Sequence, residues 1–393
     1  MGNEHHYMKS WKIKFETLSI FLLKSIFLLL IVINSACNIN SSSLAEEGAG
    51  SDHKWMLGPF SKENELNPIL RPDDESKFPC PVRRELVNWE EKDVFNPAAV
   101  VRNNKVYLLY RAEDSVGKHA GTSRIGLAES RDGFNFKKLP QPVLFPSNDF
   151  MKIYEWEGGI EDPRVVEDKD GRYIMTYTAY DGTTARLCVA ISSDLMHWEK
   201  QGLAFGAASQ GKYQDTWSKS GSIVCSKEGE RLVAKKINGK YWMYWGDVNM
   251  NAATSDNLID WEPLEQENGE MLAVFGPRPG NFDSRLVEPG PPAILTEQGI
   301  VFIYNSMNLD EGGDTDLPPG TYTAGQVLLD ANNPLQVLRR TDNFFLRPEE
   351  HYEITGQVGN VVFLEGLVNF KDKWFLYYGT ADSKIAVASY TPN

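Results

Sequence analysis

Five times along this chain an apolar strand, a polar turn carrying Gly, Asn or Asp, and a Tyr-rich strand follow one another, and that repetition constrains the fold more than any other feature. The blocks read FNPAAVVRNNKVYLLYRAED, EDPRVVEDKDGRYIMTYTAYD, SGSIVCSKEGERLVAKKINGKYWMYWGD, GPPAILTEQGIVFIYNSMN and VGNVVFLEGLVNFKDKWFLYYGTAD. A spacing of roughly 60 to 70 residues exceeds the usual propeller periods, yet four short strands and one long loop fill it. The expected fold is all-β, a five-bladed β-propeller with one blade per block.

The 393 residues fit one large closed domain, since no internal stretch resembles a linker. At 41% hydrophobic and 24% charged residues there is material for a core. A formal net charge of −14 and the lack of a basic stripe argue against a nucleic-acid partner, while neutral sugars stay open. Residues 1–37 read as a signal peptide: Lys9, Lys12, Lys14 and Lys24 precede an apolar run from Ile26 to Ile33 that is short for a membrane span, and Ser35 and Ala36 lead into Cys37. Cys37 is the expected lipid anchor and the only membrane attachment foreseen, residues 38–55 a tether, and 56–393 the propeller of an exported protein.

Chemistry by histidine or cysteine is poorly supplied. Of six histidines, His5 and His6 fall in the expected signal peptide and His53, His119, His197 and His351 are scattered without a partner pattern, while Cys80, Cys188 and Cys225 have no zinc-like spacing. Neither a metal nor a cofactor is expected, so carboxylates and arginines carry the chemistry. In EWEGGIEDPRVVEDKDG, a double glycine leads into Glu161, Asp162, Pro163 and Arg164 at the start of a strand. A carboxylate there, near a channel and among other acids, is expected to hold its proton more tightly than usual and to serve as a general acid. On its own, an Asp-Pro is also a common turn device.

The ordered series FNPAAV, LLYRAED, SRIGLAESRDG, EDPR, NFDSRLVEPGPPAIL, PEEHYEITGQVGNVVF and YYGTADSKIAVA resembles glycoside hydrolase family 130, the β-mannoside phosphorylases and β-mannosidases built on five-bladed propellers. The likeness runs from about Phe95 to Ala388. It implies that Asp162 is the general acid and that Arg111, Asp283 and Asp382 hold the nonreducing-end sugar, with Asn96 and Arg164 of the same motifs beside them. It also implies a mannose-containing oligosaccharide as the partner.

Whether water or phosphate attacks turns on two departures from the phosphorylases. Where they carry His-Arg-Pro for phosphate, this chain has Trp245, Gly246 and Asp247; where they have a small residue, LVEPGPP carries Glu288. Two carboxylates at that position repel phosphate and suit an inverting hydrolase, with Glu288 the preferred base and Asp247 its helper. Arg186 and Lys219 stand where the phosphorylases build their phosphate pocket, so phosphorolysis stays open. Their expected partners are Asp247, Glu288 or a sugar hydroxyl. A glycan-binding propeller without catalysis is a third reading.

Overall fold

Each of the five blocks forms antiparallel strands, and the turns show why. In the first block Asp93–Arg102 pairs with Lys105–Glu113 across Asn103 and Asn104, both at positive φ (50° and 56°), as a two-residue turn matched to right-handed strand twist demands. Lys371 and Asp372 do the same between Val362–Phe370 and Lys373–Thr380, at 51° and 61°. The computed structural model describes residues 54–119 and 121–392. The expected signal peptide, the anchor at Cys37 and nearly all of the tether lie outside the described residues.

The first block extends into Ser123–Ser130 and Phe136–Lys138, and the second runs Gly159–Glu167, Tyr173–Tyr180, Ala185–Ser192 and Glu199–Leu203, each strand antiparallel to the last. The fourth runs from Ala293–Thr296 through Gly299–Met307 and Tyr322–Leu329 to Val337–Arg340, with Leu286–Pro289 also paired to Gly299–Met307. The third block departs from a plain hairpin. Its strand Ser222–Glu228 pairs with Tyr244 and Met243 at one end and with Arg231–Ala234 at the other, so the segment CSKEGERLVA forms a short hairpin of its own. Helix among the described residues is limited to single turns, Lys152–Glu155, His351–Ile354 and the 3₁₀ turn Ala208–Gly211.

The two ends of the described chain meet in one sheet: Ser61 and Lys62 pair with Ser389 and Ala388, the outer edge of the last block. Asn67 secures the junction by donating to the carbonyl of Val387 (2.9 Å) and accepting from its amide (2.9 Å). Trp55 is buried against Val301 and Leu328, so the folded part begins slightly before the expected tether ends. Strands of successive blocks run side by side in parallel register, Val224 of Ser222–Glu228 next to Ala293 and Val233 of Arg231–Ala234 next to Glu167, which gathers strand ends in one place.

A second repeat, not foreseen from the sequence, closes the outer turns. Ser130 and Asp132, Ser192 and Asp194, and Ser255 and Asn257 occupy the same places in three turns. The serine Oγ accepts the amides of the residues two and three positions on, and the Asp or Asn Oδ1 accepts two more at 2.8–2.9 Å. Short polar side chains thus take the place of backbone partners. Gly133, Leu195 and Leu258 follow at φ of 83°, 73° and 69°; a leucine tolerates this strained backbone because its side chain is buried.

Burial works against Asp194, but the His197 ring and the amides of His197 and Met196 hold its carboxyl below the usual range. Its contribution is therefore complete above the unfolded carboxylate value and is lost as pH falls through the lower folded value. Asp194→Ala is expected to cost about 1–2 kcal/mol in chemical denaturation at pH 7, with a smaller deficit at pH 2.

Candidate active site

The gathered strand ends share a local distortion. Pairing slips by a residue between Phe95 and Pro97, between Glu161 and Arg164 and between Leu364 and Gly366. Asn96 and Asp162, each just before a proline, take φ of 47° and 50°, and Ser220 takes 54°. A residue before proline ordinarily stays extended, so these bulges are held by their surroundings, and they turn side chains out of the ladder. Asn96, Asp162, Lys219 and Glu288 then line one cavity of about 150 Å³, with Arg111 and Asp382. Tyr322, Val358, Val361 and Phe363 complete it; the last three lie in PEEHYEITGQVGNVVF, while the segment of Tyr322 carried no sequence signal.

Asp162 is surrounded by donors. Its Oδ1 accepts from Asn96 Nδ2 (2.9 Å) and Arg111 Nη1 (3.2 Å), and Lys219 Nζ lies 3.7 Å from Oδ2. Burial alone would raise its proton affinity, but Arg111, Lys219 and Asn96 outweigh it and hold the carboxyl down to about 2. That reverses the expectation of a tightly held proton. The reason is that the neighbours closest to Asp162 are cations, whereas Glu288 and Asp382 face fewer of them. Burial pushes Glu288 up to about 7 against Lys219 and the Ser220 hydroxyl, which donates to Oε1 at 2.5 Å, and Asp247 adds to the rise. Burial likewise pushes Asp382 up to about 7, opposed by Arg111 and reinforced by Asp162 and Glu113. Arg111 is oriented by Ser123 Oγ (3.0 Å), Glu113 (2.7 Å) and Glu161 (3.0 Å), and lies over the Phe95 ring.

Three residues expected to bind sugar sit elsewhere. Arg164 is 2% exposed and is not among the residues that line the cavity. It donates to the carbonyls of Gly290 (2.8 Å), Pro289 (2.6 Å) and Asp162 (3.3 Å) and pairs with Glu365 at 3.1 Å. The buried Glu365, unnoticed in the sequence, has a carboxyl raised well above the usual range by burial, against Arg164. Asp283 is fully buried under Arg278 (2.8 Å), Arg340 (2.5 Å) and the Tyr304 hydroxyl (2.8 Å), which leaves it no approach to a ligand. Arg186 pairs with Asp181 (2.6 Å) and Asp215 (3.0 Å) rather than with Asp247 or Glu288, and does not reach the cavity wall. Asp247, half-buried, accepts from Trp217 Nε1 at 2.6 Å and stands outside the lining.

The cavity thus offers two carboxyls of opposed proton affinity, Asp162 and Glu288, bridged by one lysine, with Arg111, Asn96 and Asp382 as hydrogen-bonding groups for a small polar ligand. That is a constellation for acid-base work on a neutral, hydroxyl-rich molecule.

Comparison with known proteins places this geometry. The glycoside hydrolase family 130 model, described as beta-1,4-mannooligosaccharide phosphorylase, matches residues 65–393. A 1,2-beta-oligomannan phosphorylase of Thermoanaerobacter sp. (strain X514) is 34% identical over 331 residues, 82% of this chain and 94% of that one. A solved structure of a putative glycoside hydrolase from Bacteroides ovatus is 50% identical, covering 86% of this chain and 98% of that one with a TM-score of 0.83. Another, 46% identical over 86% of this chain and 95% of that one with a TM-score of 0.84, is described in the words "The GH130 family of mannoside phosphorylases contains glycoside hydrolases that target beta-1,2 mannosidic linkages in Candida mannan".

Two substitutions test the electrostatics. Arg164→Met leaves the buried Glu365 carboxyl and three carbonyls without their donor, and is expected to cost about 3–5 kcal/mol in denaturant unfolding. Glu288 carries the opposite sign. Because its folded value lies above its unfolded one, its contribution is present at low pH and lost as pH rises from about 4.5 to 7. Glu288→Gln is therefore expected to gain stability relative to the parent between pH 5 and pH 8, by on the order of 1–3 kcal/mol.

Proposed function

The chain belongs to glycoside hydrolase family 130, and from that premise we propose that it is an inverting, exo-acting hydrolase releasing mannose from β-linked mannosides, β-1,2-linked ones first. The observation that carries this reading is Glu288 in the cavity wall, its proton affinity near neutrality and its Oε1 held by Ser220. A general base works best when its own pKa lies close to the working pH. Glu288 takes a proton from water, the water oxygen bonds to the anomeric carbon, the glycosidic bond breaks, and the leaving oxygen takes a proton from Asp162.

Asp162 has to gain that proton as substrate binds. A pyranose ring excluding water strengthens the burial effect, and sugar hydroxyls accepting from Lys219, Arg111 or Asn96 weaken the contacts that hold Asp162 ionised. We further propose the five-bladed propeller as the scaffold and export with a lipid anchor at Cys37, which places free mannose rather than a sugar phosphate outside the cytoplasm.

Phosphorolysis is the second reading, favoured by Lys219 in the cavity and by the activities named for relatives such as the Thermoanaerobacter protein. Against it stand Arg186, neutralised by Asp181 and Asp215, and the excess of carboxylates around Lys219. Incubation with β-1,2- and β-1,4-mannobiose, with and without inorganic phosphate, separates the two. Free mannose formed without phosphate supports hydrolysis, and mannose 1-phosphate formed only with phosphate overturns it. If the hydrolase reading holds, Asp162→Asn and Glu288→Gln each lower kcat by about 10²–10⁴-fold. The kcat/KM profile falls as pH drops through about 7, where Glu288 gains its proton. Lys219→Met moves that limb upward by removing the cation that opposes protonation, whereas Asp382→Asn leaves the limb in place if Glu288 governs it.

A further inference from the structure

The cavity, at about 150 Å³, is smaller than the ~300–1,000 Å³ of sites that enclose drug-sized ligands. It takes one pyranose ring, so on the reading above the rest of any oligosaccharide lies on the surface at its mouth. Trp217 is two residues before the cavity-lining Lys219 in the chain and 47% exposed. Its indole is not loose: Nε1 donates to Asp247 Oδ2 at 2.6 Å.

Asp247 is close enough to Glu288 to raise the proton affinity of that carboxyl. The segments carrying the indole are tied to the catalytic wall, with the Gly246 amide on the Lys219 carbonyl (3.0 Å) and the Val287 amide on the Val248 carbonyl (3.1 Å). Val248 is 53% exposed beside them. An indole left half in water while its edge is fixed by a carboxylate presents a rigid apolar face with an acceptor at its rim, a match for a pyranose with one apolar face and a ring of hydroxyls.

We propose that Trp217, with Asp247 and Val248, forms a subsite for the second sugar ring, on the leaving-group side of the scissile bond. The indole covers the apolar face of that ring, and Asp247 Oδ1, which has no hydrogen-bond partner among the described residues, accepts one of its hydroxyls. This assigns Asp247 to binding and leaves base duty to Glu288. The proposal rests on the glycosidase reading and is tested apart from it.

The experiment compares the parent, Trp217→Ala and Trp217→Phe with β-1,2-mannobiose and β-1,2-mannotriose as substrates and with mannose, which fills the cavity alone, as an inhibitor. Trp217→Ala is expected to raise KM for both oligosaccharides by about three- to tenfold while leaving the mannose inhibition constant unchanged, and Trp217→Phe to recover most of the loss. Unchanged KM in Trp217→Ala overturns the subsite, as does an equal weakening of mannose, which places the effect in the cavity instead. Should the parent itself turn over no mannoside, the glycosidase reading fails and the subsite falls with it. An active parent with an indifferent Trp217 sinks the subsite alone.

Discussion

One buried guanidinium holds the catalytic geometry together. Arg164 reaches the Asp162 carbonyl on one strand, the Pro289 and Gly290 carbonyls just past Glu288 on another, and the Glu365 carboxylate on a third. The proposed acid and base are thus spaced by a fork of fixed shape rather than by flexible loops. Asn305 reinforces it, donating to the Pro289 carbonyl (3.3 Å) and bonding Leu364 through both its oxygen and its nitrogen (2.8 and 3.0 Å). A buried ion pair is a weak source of stability by itself because desolvation offsets its attraction. Its value here is geometric, since in a glycosidase the separation of the two carboxyls decides the stereochemical outcome.

Above that clamp, the cavity divides its charges unevenly. Asp162 sits among Arg111, Lys219 and Asn96 and stays ionised, whereas Glu288 and Asp382 feel burial more than any cation and hold protons up to about neutral pH. Carboxyls behave oppositely within one small volume, because Arg111, Lys219 and Asn96 together outweigh desolvation at Asp162, whereas the cation nearest Glu288 does not. Lys219 links the two regimes. It faces Asp162, Glu288 and Glu161 at once, so a ligand that takes hold of it shifts the proton affinities of all three.

Much of this was legible in the chain. The five hairpins follow from turn chemistry and strand alternation, and Asn103, Asn104, Lys371 and Asp372 behave as short-range rules require. Asn96, Arg111, Asp162, Lys219, Glu288 and Asp382 do converge. The serine turns are equally local, marked by Ser-x-Asp or Ser-x-Asn a few residues before an aromatic. Arg164, Arg186 and Asp283 were misplaced for a different reason. Motif position says which residues stand near a strand end, not which way a bulged strand turns them.

The sequence by itself determined the strand blocks, their turns and the residue types available for chemistry, because those depend on neighbours a few positions away. Tertiary structure decided which charges meet. Asn96 and Asp162 are 66 positions apart, Ser220 and Glu288 are 68, and Arg164 and Gly290 are 126. A proton affinity is set by whatever lies within a few ångströms in space, so the division of labour between Asp162 and Glu288 exists only once the strand ends have been brought together.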